Sequence, residues 1–314
     1  MTKHSESGSA FRSRRYTSFA AMTEAIDAGT LKAAFLLAPL AMVMKRKGTD
    51  IKIVHLGHRD GTTLIVRKDS PARTFADLKH KRIAIPHRYS NQRILIERLC
   101  EQFGMASSDV TLIDFPPPEM PAGLRTGQFD AYIVGEPAAA KSEMDGFGRV
   151  LYFTKDIWPN FISCVLVVHG DLIRENRALV QELVDGIRAS GLWMEQPGED
   201  LAPGIVSAAE ATPAQHVDPD VIVLQDEFGR THRIQAAAIA ARTEYYNQDP
   251  DLLRHVLTRP IDRVRYDDLV PARAEFELIQ RYAERLGYFD FRPVTPEDPF
   301  GFDDYCDTSF AVRR

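Results

Sequence analysis

Cysteine is scarce in these 314 residues, and the three that occur, Cys100, Cys164 and Cys306, stand in unrelated stretches. With no CxxC pair they suggest neither a disulfide framework nor a thiolate metal site. They read as buried free thiols. Long apolar runs are also lacking: the longest, Ala33 to Val43, is too short to span a bilayer. The opening MTKHSESGSAFRSRR is polar and basic, with no apolar h-region, and residues 1–15 read as a disordered lead. A basic surplus is absent. Lys and Arg number 39 against 44 Asp and Glu, a net charge of −5, which argues against the broad basic surface of a nucleic-acid binder. There is no GxGxxG, no GxSxG and no HExxH, so the commonest phosphate, hydrolase and zinc-protease signatures are missing.

What remains is a soluble globular composition, 44% apolar and 26% charged. Short apolar runs, helical periodicity and Gly/Pro punctuation alternate, which predicts β-loop-α units around parallel sheets. Strands are expected at 31–37, 51–56, 62–67, 82–86, 110–115, 131–134, 150–153 and 161–169. Helices are expected at 19–28, 92–103, 119–126, 179–194 and 236–246. The block from Arg82 to Phe153 is the clearest succession and predicts one lobe with a mostly parallel sheet and helices on both faces.

His55 and His58 lie close together near a strand end, without a Cys or carboxylate at ligand spacing, and read as solvated or hydrogen-bonded histidines rather than a metal site. The acidic tail residues Asp298, Asp303, Asp304 and Asp307 lack calcium-loop spacing and read as a solvated face. The aromatics among them, Phe300, Phe302, Tyr305 and Phe310, are expected to pin the tail to a lobe. No metal or cofactor is expected.

Three loops carry more chemistry. Leu37-Ala38-Pro39 follows one strand; Ser90-Asn91-Gln92 and Gly135-Glu136 each lie between a strand and a helix. In open α/β sheets ligands bind beyond the carboxyl ends of the strands, and free N–H groups at a helix N-terminus suit an anion. Ser90 and Asn91 serve equally well as plain helix caps. Trp158 would line the same cleft, and His58 and Arg59 could add positive charge.

DSPARTFADLKHKRIAIPHRYSNQRILIERLCEQFGM and the later PPPEMPAGLRTGQFDAYIVGEP resemble the lobe-crossing segment and second lobe of type II solute-binding proteins. LKAAFLLAP (Leu31 to Pro39) resembles the partner segment on their first lobe. The likeness points to the nitrate/sulfonate/bicarbonate/taurine branch of ATP-binding-cassette importers, which includes thiamine-precursor binders. It covers residues 19 to 195. The resemblance implies a two-lobed type II periplasmic-binding-protein fold, here without its first strand-helix unit. It also implies a periplasmic monomer that hands a small ligand to a permease and its ATPase, catalysing nothing. Where nitrate and bicarbonate binders carry an aromatic after the Gly-Glu-Pro proline, this chain has Ala138. The expected layout is lobe one at 16–68 and 160–260, lobe two at 70–158, crossovers near 67–72 and 156–163, and a tail, 261–314, packed on lobe one. The alternatives are an enzyme of menaquinone- or thiamine-pathway type on the same fold, and a cytoplasmic sensor domain.

Overall fold

A computed structural model of the chain describes residues 11–194, 221–225, 231–235, 249–260 and 262–310. Most of the expected lead, and the expected helix 236–246, lie outside the described residues. The chain enters through α1 (Phe19–Asp27), whose first turn is capped by the Ser18 hydroxyl accepting from the Ala21 amide at 3.3 Å. Gly29 then stops it in the left-handed region, φ +67°. β1 (Ala33–Leu36) follows, then α2 (Ala38–Arg46), which begins with Pro39 in its first turn, where a missing N–H costs nothing.

β2 (Ile51–Asp60) runs almost directly into β3 (Thr62–Arg67). The link is Asp60-Gly61, both at positive φ (54° and 65°). Any side chain at Gly61 would crowd Val264 and His58 at 3.0–3.1 Å. At this link the chain leaves one sheet for another. β3 hydrogen-bonds to β6 (Ala131–Gly135) and β7 (Gly148–Phe153), in the second sheet. The expected crossover at 67–72 is therefore corrected to residues 60–62. The turn at Lys68-Asp69-Ser70 sits at the far end of the second lobe, and an apolar strand reads the same whichever sheet it joins.

The second sheet has the order β5-β4-β6-β3-β7, with β4 (Arg82–Ile85) parallel to both β5 (Thr111–Asp114) and β6. Four strands end at the hinge side and β3 alone starts there. Alternation along the strands feeds two cores. Leu64, Val66, Ile83 and Ile133 face Leu95 and Leu99 of α3 (Asn91–Gln102). Ile65, Ala84, Tyr132 and Val134 face α4 (Met120–Arg125) and α5 (Ala138–Met144).

After α6 (Thr154–Ile157), the chain returns through β8 (Ile162–His169), which inserts between β1 and β2. Because β8 arrives from the opposite lobe, it runs against both neighbours. The first sheet, β1-β8-β2-β11 with β11 at Val264–Arg265, is antiparallel throughout and not parallel as the punctuation suggested. One face rests on α2; the other rests on α8 (Arg177–Met194), which follows α7 (Gly170–Glu175). β9 (Val221–Gln225) and β10 (Thr231–Gln235) form a separate antiparallel pair.

Two C-terminal helices cross between lobes. α9 (Pro250–Thr258) packs Leu252 and Val256 on Ala140 of α5, so this part of 160–260 lies on lobe two. α10 (Arg273–Arg285) buries Phe276, Ile279 and Ala283 in the first-lobe core. It also touches α3, where the Tyr282 hydroxyl donates to Glu101 at 3.1 Å. The tail, with α11 (Phe302–Tyr305), puts Phe300, Phe302 and Tyr305 into the first-lobe core and Phe310 under its other face.

Candidate functional site

α3 points its N-terminus at the hinge. Ser90 is extended (φ −110°, ψ 153°) and its hydroxyl accepts from the Arg93 amide at 3.1 Å, the capping role its type predicts. The next two side chains reach across to the strands that join the lobes. Asn91 Nδ2 donates to the Ile162 carbonyl, and Gln92 Nε2 donates to Thr62 Oγ1 at 3.2 Å. Thr62 Oγ1 in turn lies 3.2 Å from Ser163 Oγ. All five of these polar residues are buried. Among the described residues Asn91 Oδ1 and Gln92 Oε1 have no hydrogen-bond partner, an unusual state for buried amide oxygens.

Gly135-Glu136 meets the same hinge. The Glu136 amide donates to the Gly61 carbonyl at 2.8 Å. The Glu136 carboxylate is committed elsewhere: it accepts from Thr63 Oγ1 and from the Ala140 amide, both at 2.8 Å, and pairs with Arg263 at 2.6 Å. Burial pushes its carboxyl above the ordinary range while Arg263 pulls it back. Arg263 also holds Glu143 at 3.0 Å, and Glu143 accepts or receives a bond from His255 at 3.0 Å. Asp60 sits inside the link between the sheets, taking a bond from the Phe161 amide at 3.2 Å. Burial raises its carboxyl to about 6.

Arg59 does not supply a free cation. It is buried and spent on Glu275 at 2.8 and 3.1 Å and on the carbonyls of Asp268 and Asn160. His58 is half-buried, its ring 6.2 Å from Tyr266. Leu37, Ala38 and Pro39 open α2 within the first-lobe core. Trp158 packs on Phe161 and Tyr282 under Arg98 and, with Asn91, Ile94 and Ile162, walls a cavity of about 40 Å³, room for a water or two. The hinge thus gathers Ser90 to Gln92 and Gly135-Glu136, with Trp158 adjoining. Sequence reasoning missed Thr62, Ser163, Asp60 and Arg263, since nothing local marks a threonine after Gly61 or an arginine 127 positions from its partner.

Burial raises all three thiols, Cys100 to about 11, Cys164 to about 12 and Cys306 beyond that. None is poised as a thiolate. Among the described residues no group of His, Cys, Asp and Glu could hold a metal ion, and no helix is long and apolar enough to cross a membrane.

A family model for the NMT1-like family matches residues 3–202. The chain belongs to the NMT1-like family. Among solved structures, this NMT1-like chain shares its fold with a ligand-binding component of an ABC-type import system from Staphylococcus aureus. The TM-score is 0.71 at 23% identity, covering 94% of this chain and 84% of that one. It also shares the fold with the nitrate-binding protein NrtA of Synechocystis (TM-score 0.67, 14% identity, 87% and 72% covered). The desulfurization enzyme DSZB has the fold too (TM-score 0.56, 15% identity, 88% and 83% covered). In sequence, 91 residues are 28% identical to the nitrate/nitrite binding protein NrtA of Synechococcus elongatus, covering 29% of this chain and 20% of that protein. The chain thus matches about a fifth of that curated relative's length.

Proposed function

We propose that this protein is the solute-binding component of an ATP-binding-cassette importer, capturing a small anion of the nitrate, sulfonate or bicarbonate kind between its lobes and delivering it to a permease. The observation that carries this reading is the pair of buried amides, Asn91 and Gln92, at the N-terminus of α3. Each has its nitrogen spent on a hinge strand and its oxygen without a partner among the described residues. A helix N-terminus favours an anion by about 0.3–1 kcal/mol when exposed and more when buried. An oxyanion that carries a proton or holds a water would satisfy both the helix amides and the two amide oxygens. Short links at residues 60–62 and 154–161 join the two sheets, a layout suited to hinge closure over a ligand. A periplasmic location and a permease-ATPase pair as partners follow from the same reading, as does binding without turnover.

The second reading, an enzyme, has one observation in its favour, the shared fold of DSZB. Three thiols, each pushed above its ordinary range by desolvation, count against a cysteine nucleophile here. Titration with nitrate, bicarbonate and sulfonates, followed by recovery of the ligand, separates the two: a binder returns it unchanged.

A further inference from the structure

We infer that α9, with the residues Asp262 to Arg265, is a strap across the hinge that holds the resting angle between the lobes. It makes a further crossing beside residues 60–62 and 154–161, and its two ends belong to different lobes. α9 lies on the second lobe, with Leu252 and Val256 buried against Ala140 of α5. His255 of α9 bonds to Glu143, also on α5, at 3.0 Å. A few residues on, Val264 and Arg265 form β11 in the first sheet, paired with Asp60 and Arg59 of β2.

Between those ends the side chains of the strap are gripped by the second lobe. The buried Arg263 guanidinium pairs with Glu136 at 2.6 Å and with Glu143 at 3.0 Å, over the ring of Phe153. Asp262 pairs with Lys155 of α6 at 2.8 Å, both half-buried. The backbone of the same residues belongs to the hinge. The Arg263 carbonyl accepts from the Gly61 amide at 2.7 Å, and the Asp60 amide donates to the Phe161 carbonyl at 2.7 Å. Three segments of chain thus lie side by side, bonded through Asp60 and Gly61. Lobe closure turns one sheet against the other about that link. A strap with its side chains fixed to one lobe and its next residue paired in the other must take up that turn between Arg263 and Val264. Pulling Arg263 from its two glutamates would strand buried charge, so the strap resists the turn. Asp262 and Lys155 are positioning residues, acting on the angle through the strap. The use of this restraint, limiting how the lobes close over a solute, rests on the binding reading above; the restraint itself is measurable without ligand.

The test is the distance between the lobes in the full, ligand-free chain, read by double electron–electron resonance. Nitroxides are attached to p-acetylphenylalanine placed at the exposed positions Ser108 in the second lobe and Ala178 in the first, with circular dichroism to confirm folding. Lys155→Asp sets two carboxylates against each other. The double variant Lys155→Asp, Asp262→Lys restores the attraction with the signs exchanged. The distance distribution should broaden or shift in Lys155→Asp and return toward that of the unaltered strap in the double variant. Amide exchange at Gly61, whose N–H bonds to the strap, should rise roughly three- to tenfold in the single variant and fall back in the double. A lowered melting temperature with unchanged distances would make the ion pair a matter of stability alone and overturn the inference. Failure of the double variant to recover either readout would overturn it too. Neither result touches the importer reading, since no ligand enters the measurement.

Discussion

Gln92 Nε2 lies 3.2 Å from Thr62 Oγ1, joining the first turn of a second-lobe helix to the first residue after the link between the sheets. The bond ties the N-terminal turn of α3 to the start of β3, directly beside the link between the sheets.

Replacing Gln92 with Ala removes that tie together with an unpartnered buried oxygen. The two effects oppose each other in stability, since a hydrogen bond contributes about 1 kcal/mol and an unsatisfied buried group costs about 1–3 kcal/mol. Thermal unfolding should therefore move little. Anion binding should weaken roughly ten- to a hundred-fold, as read by calorimetry, because α3 keeps its core contacts through Ile94, Leu95 and Leu99.

Arg263→Met should destabilise by about 3–5 kcal/mol, because it strands the buried Glu136 carboxylate. Adding Glu136→Gln should recover most of that loss. Urea unfolding of the two single variants and the double variant measures the coupling. A double variant no better than Arg263→Met alone would mean that the pair contributes by packing only.

Asp60 gives a pH signature. Its carboxyl is raised to about 6 in the folded chain against an ordinary value near 4. The native state therefore holds the proton more tightly, and stability falls as pH rises from about 4 through 6. Above that the full cost of a buried carboxylate is present. Asp60→Asn keeps an oxygen for the Phe161 amide and removes the charge. It should stabilise by about 1–3 kcal/mol at pH 8 and by nothing measurable near pH 4. Equal gains at both pH values would contradict burial of the charge as the cause.

Phe276→Ala, on the face of α10 buried among Phe302 and Tyr305, should cost about 3–5 kcal/mol by leaving a cavity. It should also release the C-terminal segment to limited proteolysis before the second lobe is cut.

Much of the second lobe was legible from Arg82 to Phe153, because each strand there alternates between two helical cores and each helix carries its own cap or glycine stop. Strand membership was not. Thr62 to Arg67 is apolar enough for either sheet, and only its hydrogen bonds to β6 and β7 decide. Antiparallel pairing of β8 was hidden for the same reason, since direction is a property of the path between lobes. At the site, the type of residue at Ser90, Asn91 and Gln92 was informative. Arg59 misled because an arginine reads as a free cation until Glu275, 216 positions away, is placed beside it.

The most direct test of the account is titration calorimetry of the intact chain with nitrate, bicarbonate and a series of sulfonates and carboxylates, coupled to chromatographic recovery of the ligand. The account predicts saturable, one-to-one binding of at least one anion, weakened in Gln92→Ala, with the ligand returned chemically unchanged. A panel without binding, or an anion converted to product during incubation, would contradict it.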